Sequence, residues 1–164
     1  RVLSEEEREL IKKNARFVHY KKNETIYIEE EQPHDLMCLL KGKVKIYKSG
    51  VGGRTQIIRM IRPIQYFGYR AFFAREPYVT AASAFESSTV CLISMELIEN
   101  MLRKNGNLAL FFIQMLSCDL GVADNRVVNL TQKHVRVNER IISLDGRKIK
   151  IIDEDMLLKI SKIG

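Results

Sequence analysis

Long apolar runs are missing from this sequence of 164 residues. The longest run, from Leu108 to Ile113, has six residues, whereas a membrane-spanning helix needs roughly 18 or more. The N-terminal segment Ser4-Glu5-Glu6-Glu7 is acidic, unlike the basic and then apolar start of a secretory signal. We therefore expect a cytoplasmic protein that has no membrane partner.

Cysteine and histidine are scarce, and neither clusters. The three cysteines lie far apart: Cys38, Cys91 and Cys118. Their odd number and wide spacing fit neither a disulfide framework nor a zinc ribbon, so we expect each to be a small core residue. The three histidines are equally scattered: His19, His34 and His134. We predict no metal site, because a metal-dependent oxygenase or an iron–sulfur cluster needs grouped ligands.

Motifs of the common catalytic sites are absent as well. The sequence has no phosphate loop, no Gly-x-Ser-x-Gly nucleophile elbow and no clustered pair of acids. The segment Ser117-Cys118-Asp119 holds two nucleophiles beside a carboxylate, but no histidine lies near it in the sequence. We predict that the protein is not an enzyme.

Basic residues outnumber acidic ones. The chain has 27 Lys and Arg against 20 Asp and Glu, which gives a formal net charge of +7 and a pI near 9.4. Such a balance favours a polyanionic partner. Hydrophobic residues make up 46% and charged residues 29%, as in ordinary globular proteins, and the length allows one domain with a small second piece.

The chain as far as about residue 93 is predicted to form short strands. Its apolar or alternating segments are Ile26 with Ile28, residues 36–40, Val44 with Ile46, Ile58 with Met60, and residues 90–93. Gly42 and the glycine-rich segment 49–53 supply turns between them. Many short strands with close turns are typical of an antiparallel sandwich or roll. Ser4 and Glu7 have the spacing of a capping box, which predicts a short leading helix.

Helices are predicted after the strands. Ser94 is expected to cap a short helix that reaches Leu102, and Asn105-Gly106-Asn107 to end it. Residues 108–136 contain no proline and one glycine, which favours one long helix. Mostly apolar residues recur along it at alternating steps of four and three: Ala109, Ile113, Leu116, Leu120, Ala123, Val127, Leu130 and His134.

This heptad stripe is typical of a coiled-coil seam. It favours a parallel homodimer whose interface consists of those eight residues. A second apolar face of Leu108, Phe112 and Met115 is expected to pack on the chain's own domain. The alternative is a helix lying wholly on its own domain, with the stripe as ordinary core.

The last part of the chain is predicted to be a β-hairpin followed by a short helix. Asp145-Gly146 lies between residues 141–144 and 147–152, and this pair favours a two-residue turn. Asp153 is expected to cap a helix that reaches Ile160.

The order of these parts resembles the Crp/Fnr superfamily of bacterial transcription regulators. Four segments carry the resemblance: the glycine hairpin 39–47, the cassette formed by residues 66–68 and 77–81, Asn129-Leu130 near the end of the long helix, and residues 145–153 near the end of the wing. The resemblance implies an α+β fold with an N-terminal antiparallel β-roll of the jelly-roll, cyclic-nucleotide-binding type. It divides the chain into a sensor domain (1–104), a dimerisation helix (105–136) and the wing of a winged helix-turn-helix (137–164).

One departure from the superfamily lies between the long helix and the wing. The superfamily has a helix-turn-helix there, whose second helix reads bases in the major groove. Here Arg136 is followed directly by Val137. Either the protein lacks the reading helices, or residues are missing between these two positions. We favour missing residues, because a wing has little use without the helix it flanks; an intact mass near 19.0 kDa would contradict this.

The cassette bears on the effector. In cyclic-nucleotide members, a glutamate after Phe-Gly accepts the ribose hydroxyl, and an arginine after the proline pairs with the phosphate. This sequence has Tyr69 and Tyr78 there, and Ala123 and Asp124 where hydroxyl groups contact adenine in such members. We therefore predict that cyclic AMP is not the effector. The resemblance assigns the effector pocket to these residues: Phe67, Gly68, Tyr69, Arg70, Ala71, Tyr78, Val79, Thr80, Ala123 and Asp124.

Three further expectations concern ligands. Arg70 and Arg75 are either partners for another anion or solvated loop charges. The phenylalanines near them are expected to be core: Phe67, Phe72 and Phe73. No cofactor is implied beyond an unknown small-molecule effector, although haem stays open, because gas-sensing members bind it. His134 is the candidate axial ligand, or else a polar interface residue that fixes the register.

The implied function is transcription regulation by a homodimer that binds double-stranded DNA, with RNA polymerase as an additional candidate partner. Effector binding in the roll would reposition the two DNA-binding heads. The candidate contacts to the DNA backbone are Arg136, Arg140, Arg147, Lys148 and Lys150. Two alternatives stay open: a dimerisation module that acts on a partner protein without touching DNA, and a roll-fold enzyme, which would need a metal.

Overall fold

The computed structural model describes residues 2–50, 55–138, 142–145 and 148–156, and their side chains apart from those of 128–142 and 144–149. The chain divides into two compact units, residues 1–112 and 113–164. The predicted turn at 49–53 lies partly outside the described residues, as do Arg140, Arg147 and the end of the last predicted helix.

The first unit contains two antiparallel four-stranded sheets, so the predicted roll is confirmed. Its strands are β1 (Arg16–Tyr20), β2 (Thr25–Tyr27), β3 (Asp35–Lys41), β4 (Val44–Ser49), β5 (Thr55–Ile61), β6 (Tyr66–Phe67), β7 (Ala81–Ala84) and β8 (Ser88–Ser94). One sheet has the order β1-β8-β3-β6 and the other the order β2-β7-β4-β5. The sequence patterns missed three strands. Strand β1 is an exposed edge, β6 is only two residues long, and β7 has no large apolar side chain.

Buried residues from both sheets form one core cluster. Its members are Tyr27, Met37, Leu39, Val44, Ile61, Phe67, Ala71, Tyr78, Ala82, Val90 and Leu92. Leu39, Val44 and Val90 have no solvent exposure, and full burial of such a side chain stabilises the fold by about 1.5–3 kcal/mol. The alternation along β3 places Met37 and Leu39 in this core, so the intervening Cys38 points to the other face of the sheet.

Helix α1 (Glu5–Asn14) begins with the predicted capping box. The Glu7 N–H donates to Ser4 Oγ at 3.2 Å, and the Ser4 N–H donates to Glu7 Oε2 at 2.8 Å. At the β3–β4 turn Gly42 has φ +92°, and a Cβ there would overlap the Ser87 carbonyl and Ser88. Both predictions made from local sequence are therefore confirmed.

Two local predictions need correction. Helix α3 (Met95–Leu102) begins after Ser94, as expected, but the Ser94 side chain makes no capping hydrogen bond. Asn105 does not end that helix, which finishes at Leu102. It instead caps helix α4, because its Oδ1 accepts the Leu108 N–H at 3.0 Å. A short helix that the sequence did not predict, α2 (Tyr69–Ala74), lies between β6 and β7.

Helix α4 (Gly106–Asn138) is 33 residues long and continues past Arg136. Its residues Gly106–Val127 are long and apolar enough to cross a membrane, by length and composition alone. The argument from unbroken runs therefore underestimated this helix, whose apolar residues are spread between polar ones. One such helix is weak evidence for a membrane span.

The two predicted faces of α4 differ in burial. Leu108 and Phe112 are each 5% exposed within the first unit, whereas Ile113, Leu120 and Val127 of the stripe are 57%, 63% and 63% exposed. Two other residues of the stripe, Ala109 and Leu116, are half-buried, and both interpretations of the stripe stay predictions.

The predicted hairpin is confirmed as β9 (Ile142–Asp145) and β10 (Lys148–Ile151), which pair in antiparallel fashion. Asp145 lies opposite Lys148, so the strand register differs by one residue from the one that an Asp145-Gly146 turn implies, and Gly146 itself lies outside the described residues. Asp153 Oδ1 accepts the Met156 N–H at 2.9 Å, as expected of a helix cap.

Candidate functional site

The segment between β6 and β7 contains most of the predicted pocket residues. Phe67 ends β6 and is 2% exposed. Gly68 follows with φ +84° and begins helix α2. A Cβ on Gly68 would lie 3.3 Å from the Tyr78 hydroxyl and 3.3 Å from the Asp35 carbonyl oxygen. Glycine therefore lets this part of the backbone approach Tyr78 closely.

Tyr78 lies inside the roll, in the place of the expected phosphate-binding arginine. It is 5% exposed, and its ring stacks on that of Tyr27 with centroids 3.9 Å apart and planes inclined by 18°. Its N–H donates to the Glu31 carbonyl at 2.9 Å, and its carbonyl accepts the Glu30 N–H at 2.8 Å. These backbone bonds hold Tyr78 against the loop that joins β2 to β3.

The Tyr78 hydroxyl has no hydrogen-bond partner among the described residues. Burial raises the pKa of this phenol far above its ordinary value, and the nearby Tyr27 and Glu31 raise it further. Tyr78 is therefore neutral at any physiological pH. It offers no positive charge to a phosphate, and its polar atom is left without compensation in the core.

Tyr27 is the aromatic partner that the sequence patterns did not single out. It is 4% exposed, and its hydroxyl shares a hydrogen bond with Thr80. Burial raises its pKa, while Thr80 and the charges of Arg70 and Arg59 act in the opposite direction. The alternation Ile26-Tyr27-Ile28 was the available signal, since Tyr27 faces inward while Ile28 is 56% exposed.

Tyr69 occupies the place of the expected ribose-binding glutamate, and it packs against the start of α4. It is 3% exposed, and its ring meets that of Phe112 edge-on at 6.0 Å. Phe73 contacts Phe112 at 5.5 Å and Phe72 at 5.7 Å. Phe67 is core, as predicted, whereas Phe72 and Phe73 are half-buried members of this aromatic cluster.

Both candidate cations already have carboxylate partners. Arg70 contacts Glu76 at 2.7 Å. Arg75 contacts Glu99 at 3.0 Å, and Arg103 contacts the same carboxylate at 2.8 Å. These two arginines lower the pKa of Glu99, with the Arg103 hydrogen bond as the main cause. An anion that binds Arg70 would therefore compete with Glu76, and one that binds Arg75 would compete with Glu99.

Eight of the ten predicted pocket residues lie in the first unit; Phe67, Tyr69, Ala71 and Tyr78 are buried there, whereas Val79 is 41% exposed. The other two, Ala123 and Asp124, are exposed residues of the second unit, and their role in the pocket stays a prediction. Of the predicted DNA contacts, Lys150 is exposed on β10. The side chains of Arg136 and Lys148, and those of the stripe residues Leu130 and His134, lie outside the described part.

Within the described residues, no group of three or more His, Cys, Asp or Glu side chains is arranged to hold a metal ion. His19 instead hydrogen-bonds two hydroxyl groups, Ser87 Oγ at 3.2 Å and Thr89 Oγ1 at 3.3 Å.

The family model of the cyclic nucleotide-binding domain matches residues 17–105, more than half of the chain. The chain belongs to the cyclic nucleotide-binding domain family. An uncharacterized protein of Haemophilus influenzae is 26% identical over 99 residues, which are 60% of this chain and 77% of that protein.

Two solved structures resemble this cyclic nucleotide-binding domain protein closely in fold. The catabolite activator protein of Thermus thermophilus has a TM-score of 0.69 at 15% identity, with 98% of this chain and 96% of that chain covered. A transcriptional regulator from Thermotoga maritima has a TM-score of 0.65 at 25% identity, with coverage of 76% and 97%. The resemblance to Crp-type regulators is thereby confirmed for the fold.

This member of the cyclic nucleotide-binding domain family differs from the expected ligand chemistry at two positions. Tyr69 and Tyr78 stand where the resemblance implies a glutamate and an arginine. Both rings are buried against other aromatic rings of the chain. The interior of the roll is therefore occupied by the protein's own side chains at these positions.

Proposed function

We propose that this protein is a DNA-binding transcription regulator of the Crp/Fnr type that works as a homodimer. The main support is the extent of the similarity to the Thermus catabolite activator protein, which covers 98% of the chain. That similarity continues beyond the matched binding domain into the segment that contains helix α4 and the β9–β10 hairpin.

The exposed stripe of α4 supports pairing with a second copy. Ile113, Leu120 and Val127 repeat at heptad spacing and are all more than half exposed in the single chain. Apolar residues at this spacing gain most when a partner helix covers them. The proposed interface is the full stripe predicted from the sequence.

The proposed effector is not a cyclic nucleotide. A cyclic phosphate needs a cation, and Tyr78 supplies a neutral phenol in its place. The Tyr27–Tyr78 stack also occupies the interior beside Gly68. We propose that another small molecule binds in the roll, and that its binding changes how the two long helices are placed and so resets the spacing of the DNA-binding heads.

DNA binding itself is tested by its dependence on salt. Contacts to phosphates release counterions, so the affinity of the full-length protein for duplex DNA should fall steeply as salt rises. Fluorescence anisotropy with a labelled duplex selected from a random pool measures this affinity. Replacing Lys150 with Gln should reduce the slope of log affinity against log salt by about 1. Lys22→Gln, at an exposed position distant in sequence from the hairpin, is the matched control.

A second candidate function is a dimerisation module that acts on a protein partner. The observation that favours it is the continuation of α4 through Arg136 to Asn138, only a few residues before β9. DNA binding that is undetectable even at low salt, together with a stable dimer, would support this candidate over the regulator.

A further inference from the structure

Two cysteines that are far apart in the sequence lie opposite each other on the outer face of one sheet of the roll. Cys38 lies on β3 and Cys91 on β8, and the strand register places them directly opposite each other. Opposite residues of antiparallel strands have Cα atoms about 4.5–5.5 Å apart, which falls within the range of about 4.4–6.8 Å seen in disulfides. Both side chains also point to the same face of the sheet.

The face that holds this cysteine pair is the one opposite the roll interior. Phe17 lies opposite Cys91 on the β1 side, and Tyr66 lies opposite Cys38 on the β6 side. Each cysteine is 8% exposed, so a reagent as small as water or a peroxide reaches it most readily. Both thiols are free in the structure.

The surroundings keep the pair reduced under mild conditions. Burial raises the pKa of both thiols, and the neighbouring Cys91 raises that of Cys38 further. Since the thiolate is the nucleophile, oxidation at neutral pH will be slow for each cysteine alone. Once one sulfur has reacted, however, the other is already in position.

We propose that Cys38 and Cys91 form a reversible dithiol–disulfide site that is oxidised by hydrogen peroxide or a similarly small hydroperoxide. The first thiol gives up its proton, and the thiolate attacks one oxygen of the peroxide; an S–O bond forms as the O–O bond breaks, and the leaving hydroxide takes up that proton, so the products are a sulfenic acid and water. The second thiol then gives up its proton, and its thiolate attacks the sulfenic sulfur. An S–S bond forms, the S–O bond breaks, and the leaving hydroxide takes up the second proton to give a second water. Overall, two thiols lose two electrons and two protons, and one peroxide is reduced to two waters.

The cysteine pair lies next to the start of helix α4. The ring of Tyr66, opposite Cys38, meets Phe111 of that helix edge-on at 6.3 Å. Tyr66 thus links the strand of Cys38 to this helix.

The test uses the full chain with Cys118→Ser, because Cys118 is exposed and would form other disulfides. The folded protein is treated with hydrogen peroxide, quenched with catalase, denatured and alkylated, and its mass and peptides are measured. We expect both thiols to disappear together, a mass about 2 Da below that of the untreated and unalkylated protein, a linked peptide that contains Cys38 and Cys91, and recovery of both thiols on reduction.

Single variants and a denatured sample provide the controls. With Cys38→Ala or Cys91→Ala added, the remaining thiol should give oxygen adducts or stay reduced, with no internal link. Should either variant fail to fold, the Cys118→Ser protein decides the matter by itself. The proposal is overturned if its two thiols remain alkylatable, if they gain oxygen without a linked peptide, or if the link appears only when oxidation is done in denaturant.

Discussion

The Asn105 side chain contacts both carboxylate oxygens of Glu7, at 2.9 Å and 2.8 Å, although 98 residues separate the two in the sequence. The same amide group donates to the Val2 carbonyl at 3.0 Å, and its oxygen accepts the Leu108 N–H. One side chain thus caps α4 and fastens the start of α1 to it.

Replacing Asn105 with Ala should destabilise the protein by about 0.5–2 kcal/mol, the usual loss when an N-cap residue is removed. Urea unfolding monitored by circular dichroism measures the change. Asn107→Ala is the matched control, because Asn107 is exposed in the first turn of the same helix and should change stability little. Equal losses in the two variants would contradict the capping role of Asn105.

The stability of the fold should depend on pH through Glu7. Hydrogen bonds from the Ser4 N–H and the Asn105 amide lower the pKa of Glu7 below its ordinary 4.5. Below about pH 4.5 the unfolded state binds the proton more readily, so the stabilisation is present above that pH and is lost as the pH falls through the lowered pKa. Glu7→Gln should therefore differ from the parent protein most at neutral pH and progressively less below pH 4.5, as measured by urea unfolding at each pH. A gap between Glu7→Gln and the parent that is constant with pH would refute this prediction.

Replacing either of two glycines with alanine should change the stability of the protein in opposite directions. Gly42→Ala introduces a side chain at φ +92° that overlaps Ser87 and Ser88, and should cost about 1–3 kcal/mol. Gly121→Ala, in α4 with nothing within 4 Å of the new Cβ, should stabilise its helix by up to about 1 kcal/mol. Thermal unfolding of both variants measures the change in stability. A loss of stability in Gly121→Ala as large as that in Gly42→Ala would contradict a special role of the β3–β4 turn at Gly42.

These glycines also show what the sequence predicted and what it did not. Gly42 and the Ser4–Glu7 capping box were predicted correctly, because turn and cap preferences act over a few residues. Ala81–Ala84 was missed as a strand, since small side chains carry no hydrophobic pattern although all four are buried. The contact between Cys38 and Cys91 was missed because strand register brings together residues that are distant in the sequence.

The candidate site divides in the same way. Tyr69 and Tyr78 were recognised from the sequence as departures from the expected glutamate and arginine. Their aromatic partners, Phe112 for Tyr69 and Tyr27 for Tyr78, depend on how α4 and β2 pack. The local sequence around the cassette contains no information about either contact. The count of unbroken runs did not detect the apolar character of α4, because it ignores apolar residues interleaved with polar ones.

Removing the hydroxyl of Tyr78 should leave stability unchanged or raise it by up to about 1 kcal/mol, because that hydroxyl is buried without a partner. Tyr27→Phe removes the hydrogen bond with Thr80 instead, and should cost about 1 kcal/mol. Urea unfolding of the two phenylalanine variants distinguishes them. A loss in Tyr78→Phe as large as that in Tyr27→Phe would show that the Tyr78 hydroxyl has a partner after all.

A charge placed on the stripe of α4 should abolish the proposed dimer. Leu120→Asp puts a carboxylate into the seam, whereas Val122→Asp puts one on another face of the same helix, at a residue that is 51% exposed against 63% for Leu120. Sedimentation velocity should show a monomer for the first and an unchanged dimer for the second. A parent protein that is monomeric at micromolar concentration would contradict the homodimer directly.

Strand β7 contains only alanine and serine, and Ala82 lies opposite Tyr27 in the strand register. The small volume of this strand is what leaves space for two phenol rings in the middle of the roll. The small side chains of β7 thus compensate for the large volume of the Tyr27 and Tyr78 rings. A homologue with a small residue in place of Tyr78 would therefore have a cavity in the middle of the roll. A single substitution at this position is enough to create space for a ligand.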